Sequence, residues 1–220
     1  MSGQHLGSGH APRRTIGATA PLLACLLLAA IAGSADATTV IGTVTRLQGA
    51  ANGTTSGASV SLAAGADVFA GETISTDPAA RLELTLSDRT VVTLGEKATL
   101  TLDDFVFRPT GQSKLHVAID GAFRFVSGKL AAGATREASV TTSFATIGVR
   151  GTDFWSGPID GRFGVVVLEG RVMVSHRGRT VVLRLPRSGV DLNSANAAPG
   201  AVTPWTAAKI GRAIATVTFR

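Results

Sequence analysis

The chain has 220 residues, 45% of them hydrophobic and 16% charged, with a formal net charge of +6. That length holds one sizeable domain with appendages. A single cysteine excludes an intrachain disulfide, and four histidines are a thin basis for a metal cage.

Residues 1–37 read as a signal peptide. Arg13 and Arg14 supply a positive start, the chain from Ile16 to Ile31 is uncharged and mostly Ala and Leu, and Ala35-Asp36-Ala37 offers small residues where a signal peptidase cuts. An uncleaved membrane anchor is the other reading. Gly17, Pro21 and Gly33 weaken it as a spanning helix. Cys25 lies inside the apolar run, so it is expected to leave with the leader. Removing residues 1–37 takes away Arg13, Arg14 and Asp36; 19 basic and 14 acidic side chains remain, a balance of +5. A positive balance can attract nucleic acid. Here the charges are scattered, only Arg177, Arg179, Arg184 and Arg187 cluster, and no interleaved aromatic set offers bases a stacking platform. A nucleic-acid partner is therefore not expected.

From residue 38 to residue 192 short apolar–polar alternations are separated by Gly, Asp and Ser-rich breaks, the pattern of many short strands. Val40–Val44 comes first. Ala58–Leu62 follows a turn-rich Asn52–Gly57 loop. Arg81–Leu86 alternates strictly, with its leucines on one face. Ser87-Asp88-Arg89 is a turn, and Thr90–Leu94 returns from it. Thr99–Leu102, Lys114–Ile119, Ala122–Val126, Ser139–Thr142, Gly164–Leu168, Arg171–Ser175 and Thr180–Leu185 complete the set. Val, Thr, Leu and Ile dominate, as strands prefer. Gly71-Glu72, Gly121-Ala122 and Gly170-Arg171 each introduce an alternation with a glycine. These signs predict an all-β domain, a β-roll, β-helix-like coil or sandwich, with a short C-terminal helix. Residues 193–220 are expected as a linker and helical tail, with Thr203 as N-cap, Pro204 at the first helical position, and Trp205, Ala208, Ile210 and Ile214 along one side. The tail either packs on the β core or docks a partner.

Three segments together resemble the FecR domain of periplasmic regulators of iron-uptake sigma factors. The first runs from Leu62 to Leu94 and contains V-F-A-G-E-T-I-S-T, with Gly71 and Thr76. The second opens with G-A-F-R-F-V-S-G-K from Gly121 and continues to I-G-V-R-G-T-D-F, with Gly148, Arg150, Gly151, Thr152 and Phe154. The third is V-V-V-L-E-G-R-V-M-V, with Glu169 and Gly170. The resemblance covers most of Gly42 to Leu192. It implies the domain and not the iron-regulator role; the chain is expected to be an envelope module, periplasmic or secreted, that signals through a protein partner, with a glycan or peptidoglycan contact as the alternative. Family members usually carry Asp-Gly-Ser at the first hairpin, where this chain has Ser87-Asp88-Arg89-Thr90. The sigma-factor regulators also carry a cytoplasmic helical segment, a transmembrane helix and a C-terminal signalling domain. This chain is expected to be a stand-alone domain without them and without a permanent membrane span once cleaved.

No catalytic reading stands out. His116 and His176 fall within strand-like alternation with no metal spacing, no G-x-S-x-G elbow is present, and Asp103-Asp104 reads as a strand end and turn. Neither enzyme activity nor a cofactor is expected. Gly148 and Gly151 bracket Val149-Arg150, which suits a corner of the fold. Arg150 is expected as a partly buried hydrogen-bond hub, paired with Asp153 or Glu169. The other reading sets Arg150 and Trp155 on an exposed rim as an anion or glycan contact.

If residues 1–37 are a leader, N-terminal sequencing of the protein recovered from the envelope starts at Thr38. A chain found in the cytosol still beginning at Met1 contradicts export.

Overall fold

Leucine every second residue from Leu82 to Leu86 places all three on one face of an extended chain, and all three are buried. The same arithmetic repeats along the molecule, a computed structural model that describes residues 39–108, 113–128 and 136–220. The segment read as a signal peptide, including Cys25, lies outside the described residues. Among the described residues sixteen strands and one helix follow in chain order: β1 (Val40–Gln48), β2 (Ala51–Thr55), β3 (Ala58–Ser61), β4 (Asp67–Phe69), β5 (Thr73–Thr76), β6 (Arg81–Leu86), β7 (Val91–Leu94), β8 (Thr99–Val106), β9 (Ser113–Asp120), β10 (Phe123–Val126), β11 (Arg136–Thr141), β12 (Thr146–Ile159), β13 (Arg162–His176), β14 (Arg179–Leu183), β15 (Ser188–Leu192), β16 (Thr203–Pro204) and α1 (Ala207–Ala215). The fold is all-β with a short C-terminal helix.

Every strand belongs to one hydrogen-bonded sheet. Its path runs β3-β2-β5-β8-β9-β11 to β12, then β10-β7-β6-β1-β4. Two separate sandwich sheets, one of the expectations, are therefore not what forms. Among the described residues only β9 and β11 pair in parallel, which also sets the fold apart from a parallel β-helix. The long β12–β13 hairpin joins the two arms. Its open half pairs β11 through Thr146–Gly148 and β14 through Val172–His176. Its turn half pairs β10 through Asp153–Ser156 and β15 through Phe163–Val166. Side chains of both arms, such as Leu100, Val117 and Ile147 from one and Leu84, Phe125 and Phe154 from the other, share one core. The sheet thus curls so that its arms face each other across that core.

The hairpin bends where its register shifts twice, between Arg150↔Arg171 and Asp153↔Glu169 and again before Phe154↔Val167, with one extra residue on each strand in turn. Before the shift the core-facing residues of β12 are Ile147 and Val149; after it they are Thr152 and Phe154, while Trp155 is buried on the opposite face. One extra residue moves the inward face from odd to even positions, which is what a bulge does. On β13 the buried set likewise passes from Val165 and Val167 to Val172 and Val174. The corner expected at Gly151 is this bulge within a continuous strand.

Three local expectations are corrected. Asn52–Gly57 is not a loop: Ala51–Thr55 is a strand, and the turn shrinks to Ser56-Gly57, whose φ values of 50° and 82° suit a two-residue hairpin. Asp103-Asp104 does not end a strand but sits in β8 beside a register shift. Thr203-Pro204 does not start the helix. It forms an edge strand on β15, where the missing proline N–H costs no ladder bond on the open side. The cap is Thr206, whose Oγ1 accepts from Lys209 N at 3.2 Å.

The helix packs back on the sheet. Trp155, Ile159 and Val166, on the outer face of the hairpin's turn half, form a second core with Trp205, Ala213 and Val217. Ile210 and Ile214 pack at its margin, while Ala208 stays exposed, contrary to expectation. Trp205 lies directly on Gly164 and Gly189; a methyl at Gly164 would stand 2.6 Å from its ring. Trp155 Nε1 donates to Thr216 Oγ1 at 3.0 Å, and Lys209 bridges Asp191 at 2.8 Å while lying 3.9 Å from the Trp205 ring centroid.

Candidate functional site

Four of the five glycines quoted from the sequence are backbone devices. Gly71, Gly121, Gly151 and Gly170 all have positive φ, between 57° and 98°. Gly170 also passes so close to the Gly151 carbonyl that any side chain there would overlap it. Gly121 would bring a methyl to 2.8 Å from Ala98 Cα. Thr76 is a buried clasp: its Oγ1 donates to Gly95 O at 2.7 Å and accepts from Ala98 N at 2.9 Å. Thr152 is buried too, and its N–H donates to Ser127 Oγ at 2.8 Å, fixing β12 beside the end of β10. Phe154 is a core ring, edge-on to Phe123 and stacked with Phe125. The turn that departs from Asp-Gly-Ser works without its glycine. Arg89 takes φ 70°, buried Asp88 accepts from Thr90 N and Oγ1, and Thr90 Oγ1 accepts from Gly128 N.

Arg150 differs from the expected hub. Its side chain is exposed and, among the described residues, makes no hydrogen bond or ion pair. Asp153 is taken by Arg124 in a fork of 2.9 and 2.6 Å, and Glu169 is exposed. The bulge explains the outcome: Val149 and Thr152 point inward, so Arg150 faces out. Trp155, its expected companion on a rim, is fully buried under the tail.

What Arg150 does line is an open groove of about 490 Å³ on the outer face of β11, β12 and β13, shared with Glu137, Ser139, Gly148, Arg171 and Met173. Arg150 and Arg171 stand directly opposite each other on neighbouring strands. Like charges in that position repel. Met173, beside them, is 50% exposed. At the groove's far side His116 Nδ1 lies 2.8 Å from Ser139 Oγ, and its Nε2 lies 3.9 Å from Asp103. The order resembles an acid–base–nucleophile relay. Ser139 sits on a strand paired on both sides, so the backbone N–H groups around it serve ladders rather than a hole for an oxyanion. His176 is held by the Ala195 carbonyl at 2.7 Å.

Residues 72–173 match the family model described as FecR protein. Over that segment the chain is similar to the FecR domain. Two crystal structures of a candidate anti-sigma factor from Parabacteroides distasonis, at 2.50 and 1.65 Å resolution, align with TM-scores of 0.52 and 0.51 at 23% identity. Each alignment covers 63% of this chain, and the chain spans 62% of theirs; the likeness is one of fold. No curated protein matches in sequence.

Nine of the ten quoted motif residues fall within the matched FecR segment, and Gly71 precedes it by one position. Most of them build the fold rather than a surface. Sequence reasoning passed over the residues that give the FecR domain its exposed character, Arg171 and Met173, because each sits in an ordinary alternation and only the register shows them beside Arg150. It also passed over Glu72, whose buried carboxyl accepts from Phe69 N at 2.9 Å; burial raises its pKa despite that bond. The one available signal was a glycine on the neighbouring strand β2, since the Glu72 carboxyl occupies the space where a Gly53 side chain would sit.

Exposure makes Arg150 cheap to remove. Arg150→Ala should change unfolding stability by less than about 0.5 kcal/mol. Arg124→Ala should cost about 1–3 kcal/mol, because it strands the largely covered Asp153 carboxylate. Urea midpoints of the two variants check this; equal losses would return Arg150 to a structural role.

Proposed function

We propose that this chain is an exported FecR-domain protein of the cell envelope that signals by protein contact, without enzyme activity, through the groove beside the hairpin bend. One observation carries the reading. Two exposed arginines are held opposite each other next to a half-exposed methionine, and among the described residues neither arginine has a partner. The fold gains nothing from this juxtaposition, whereas arginine and methionine are enriched where proteins bind proteins. A partner carrying carboxylates opposite the pair would remove the repulsion, and the planar guanidinium fork favours such contacts. The family match and the fold likeness to a candidate anti-sigma factor support a signalling module of the envelope. Among the described residues no helix is long and apolar enough to cross a membrane. The glycan alternative loses its aromatic platform, because Trp155 lies under the tail.

A photo-crosslinking residue at position 173, in cells that express the full chain, should give a discrete protein adduct in the envelope. The same probe at exposed Ala208 should not. Arg150→Glu with Arg171→Glu should abolish the adduct and leave thermal melting unchanged. An adduct indifferent to the charge reversals overturns the reading, as does sedimentation with purified peptidoglycan in place of a protein adduct.

A further inference from the structure

A second cavity, also of about 490 Å³, lies on the other arm, between the sheet and the C-terminal tail. Four cationic residues line it: Arg81 at the start of β6, Lys97 in the turn before β8, Arg212 on α1 and Arg220 at the chain end. One side-chain carboxylate, Glu96, lines it with them, and its Oε2 accepts from Ala79 N at 2.7 Å. Arg212 reaches out to Asp160 at 2.8 Å, in a pair half exposed to water.

Arg81 is the unusual member. It is 7% exposed, yet among the described residues it has no ion pair. Of its five donor hydrogens one bond is made, from Nη1 to Ala80 O at 2.6 Å, and Nε is buried without a partner. A buried guanidinium with no counter-charge is costly, and buried cations are ordinarily paired. Three more cations round the same cavity raise that cost. The missing element is negative charge.

We infer that this cavity binds a phosphoryl group, with Arg81 as its central ligand and Lys97, Arg212 and Arg220 around it. Arginine's planar fork matches two phosphate oxygens at once, and lysine adds a point charge. The volume exceeds what a bare oxyanion needs and falls in the range of small-molecule sites, so a phosphate monoester with a small organic part fits the class. Arg81 and Lys97 belong to the sheet, whereas Arg212 and Arg220 belong to the tail. A ligand touching all four fastens the tail to the sheet, and ligand occupancy becomes tail docking.

The test uses the full chain with inorganic phosphate and glycerol 3-phosphate as soluble probes, at ionic strength matched with sodium chloride, and with phosphatidylglycerol vesicles as a third arm. Saturable binding by calorimetry and a rise in melting temperature with either soluble probe are expected. Lys97 and Arg220 are both exposed, so Lys97→Gln and Arg220→Gln should melt like the parent without ligand and bind about tenfold more weakly. Arg81→Gln should abolish binding; should it fail to fold, the two exposed variants decide alone. Binding to vesicles but to neither soluble probe, lost in Lys97→Gln, places the same phosphoryl group on a lipid. No saturable response in any arm, or one that ignores Lys97→Gln and Arg220→Gln, overturns the inference.

Discussion

The architecture depends on a close crossing of two backbones. Gly151 and Gly170 meet in the β12–β13 hairpin with positive φ on both strands, and the carbonyl of one fills the space where a side chain of the other would sit. Because of that crossing the hairpin bends and each strand changes its inward phase. The open half then continues the β8-β9-β11 arm, and the turn half continues the β6-β7-β10 arm. A straight hairpin with the same residues would turn Phe154 or Val149 to solvent. The bend is the condition for one core shared by two arms, and it also sets Arg150 on the outside.

The outer faces of the two halves are treated differently. The turn half is covered. Gly164 and Gly189 leave a flat bed for Trp205, and Trp155 is closed over by α1, so β12 is buried on both faces there. The Lys209–Asp191 pair beside Trp205 is largely shielded, whereas the exposed Arg212–Asp160 pair adds little. The open half is left bare, with Arg150, Arg171 and Met173 on it. One face spends its apolar side chains on the tail, and the other keeps an unmatched charge pair in water. That division separates the structural part of the hairpin from the part free to meet another molecule.

Much of this was legible in the sequence, and the failures have physical causes. Arg81–Leu86 and Lys114–Ile119 were found because one face is wet and the other dry, so period two is visible. β12 was missed as a strand. Phe154, Trp155 and Ser156 are all buried, which erases the alternation, and the bulge shifts its phase midway. The FecR resemblance was legible over the matched segment, yet its most specific motif misled about Arg150. Glycines on either side suggested a crowded corner, whereas the bulge turns that side chain outward. Trp155 could not be placed because its cover, Trp205, lies fifty residues on and is admitted only by Gly164 and Gly189. The helix start was misplaced by three residues because Thr-Pro serves an edge strand as well as a helix cap.

Urea unfolding of Gly170→Ala tests the crossing most directly. A single methyl adds no flexibility to absorb the contact, and the opposing atom is backbone, so the hairpin must move. The account predicts a loss on the order of 2–4 kcal/mol, with Trp155 and Trp205 fluorescence and far-ultraviolet dichroism reporting one shared transition. An unchanged midpoint would mean that the two strands do not cross at Gly151 and Gly170, and that the arms are joined in some other way.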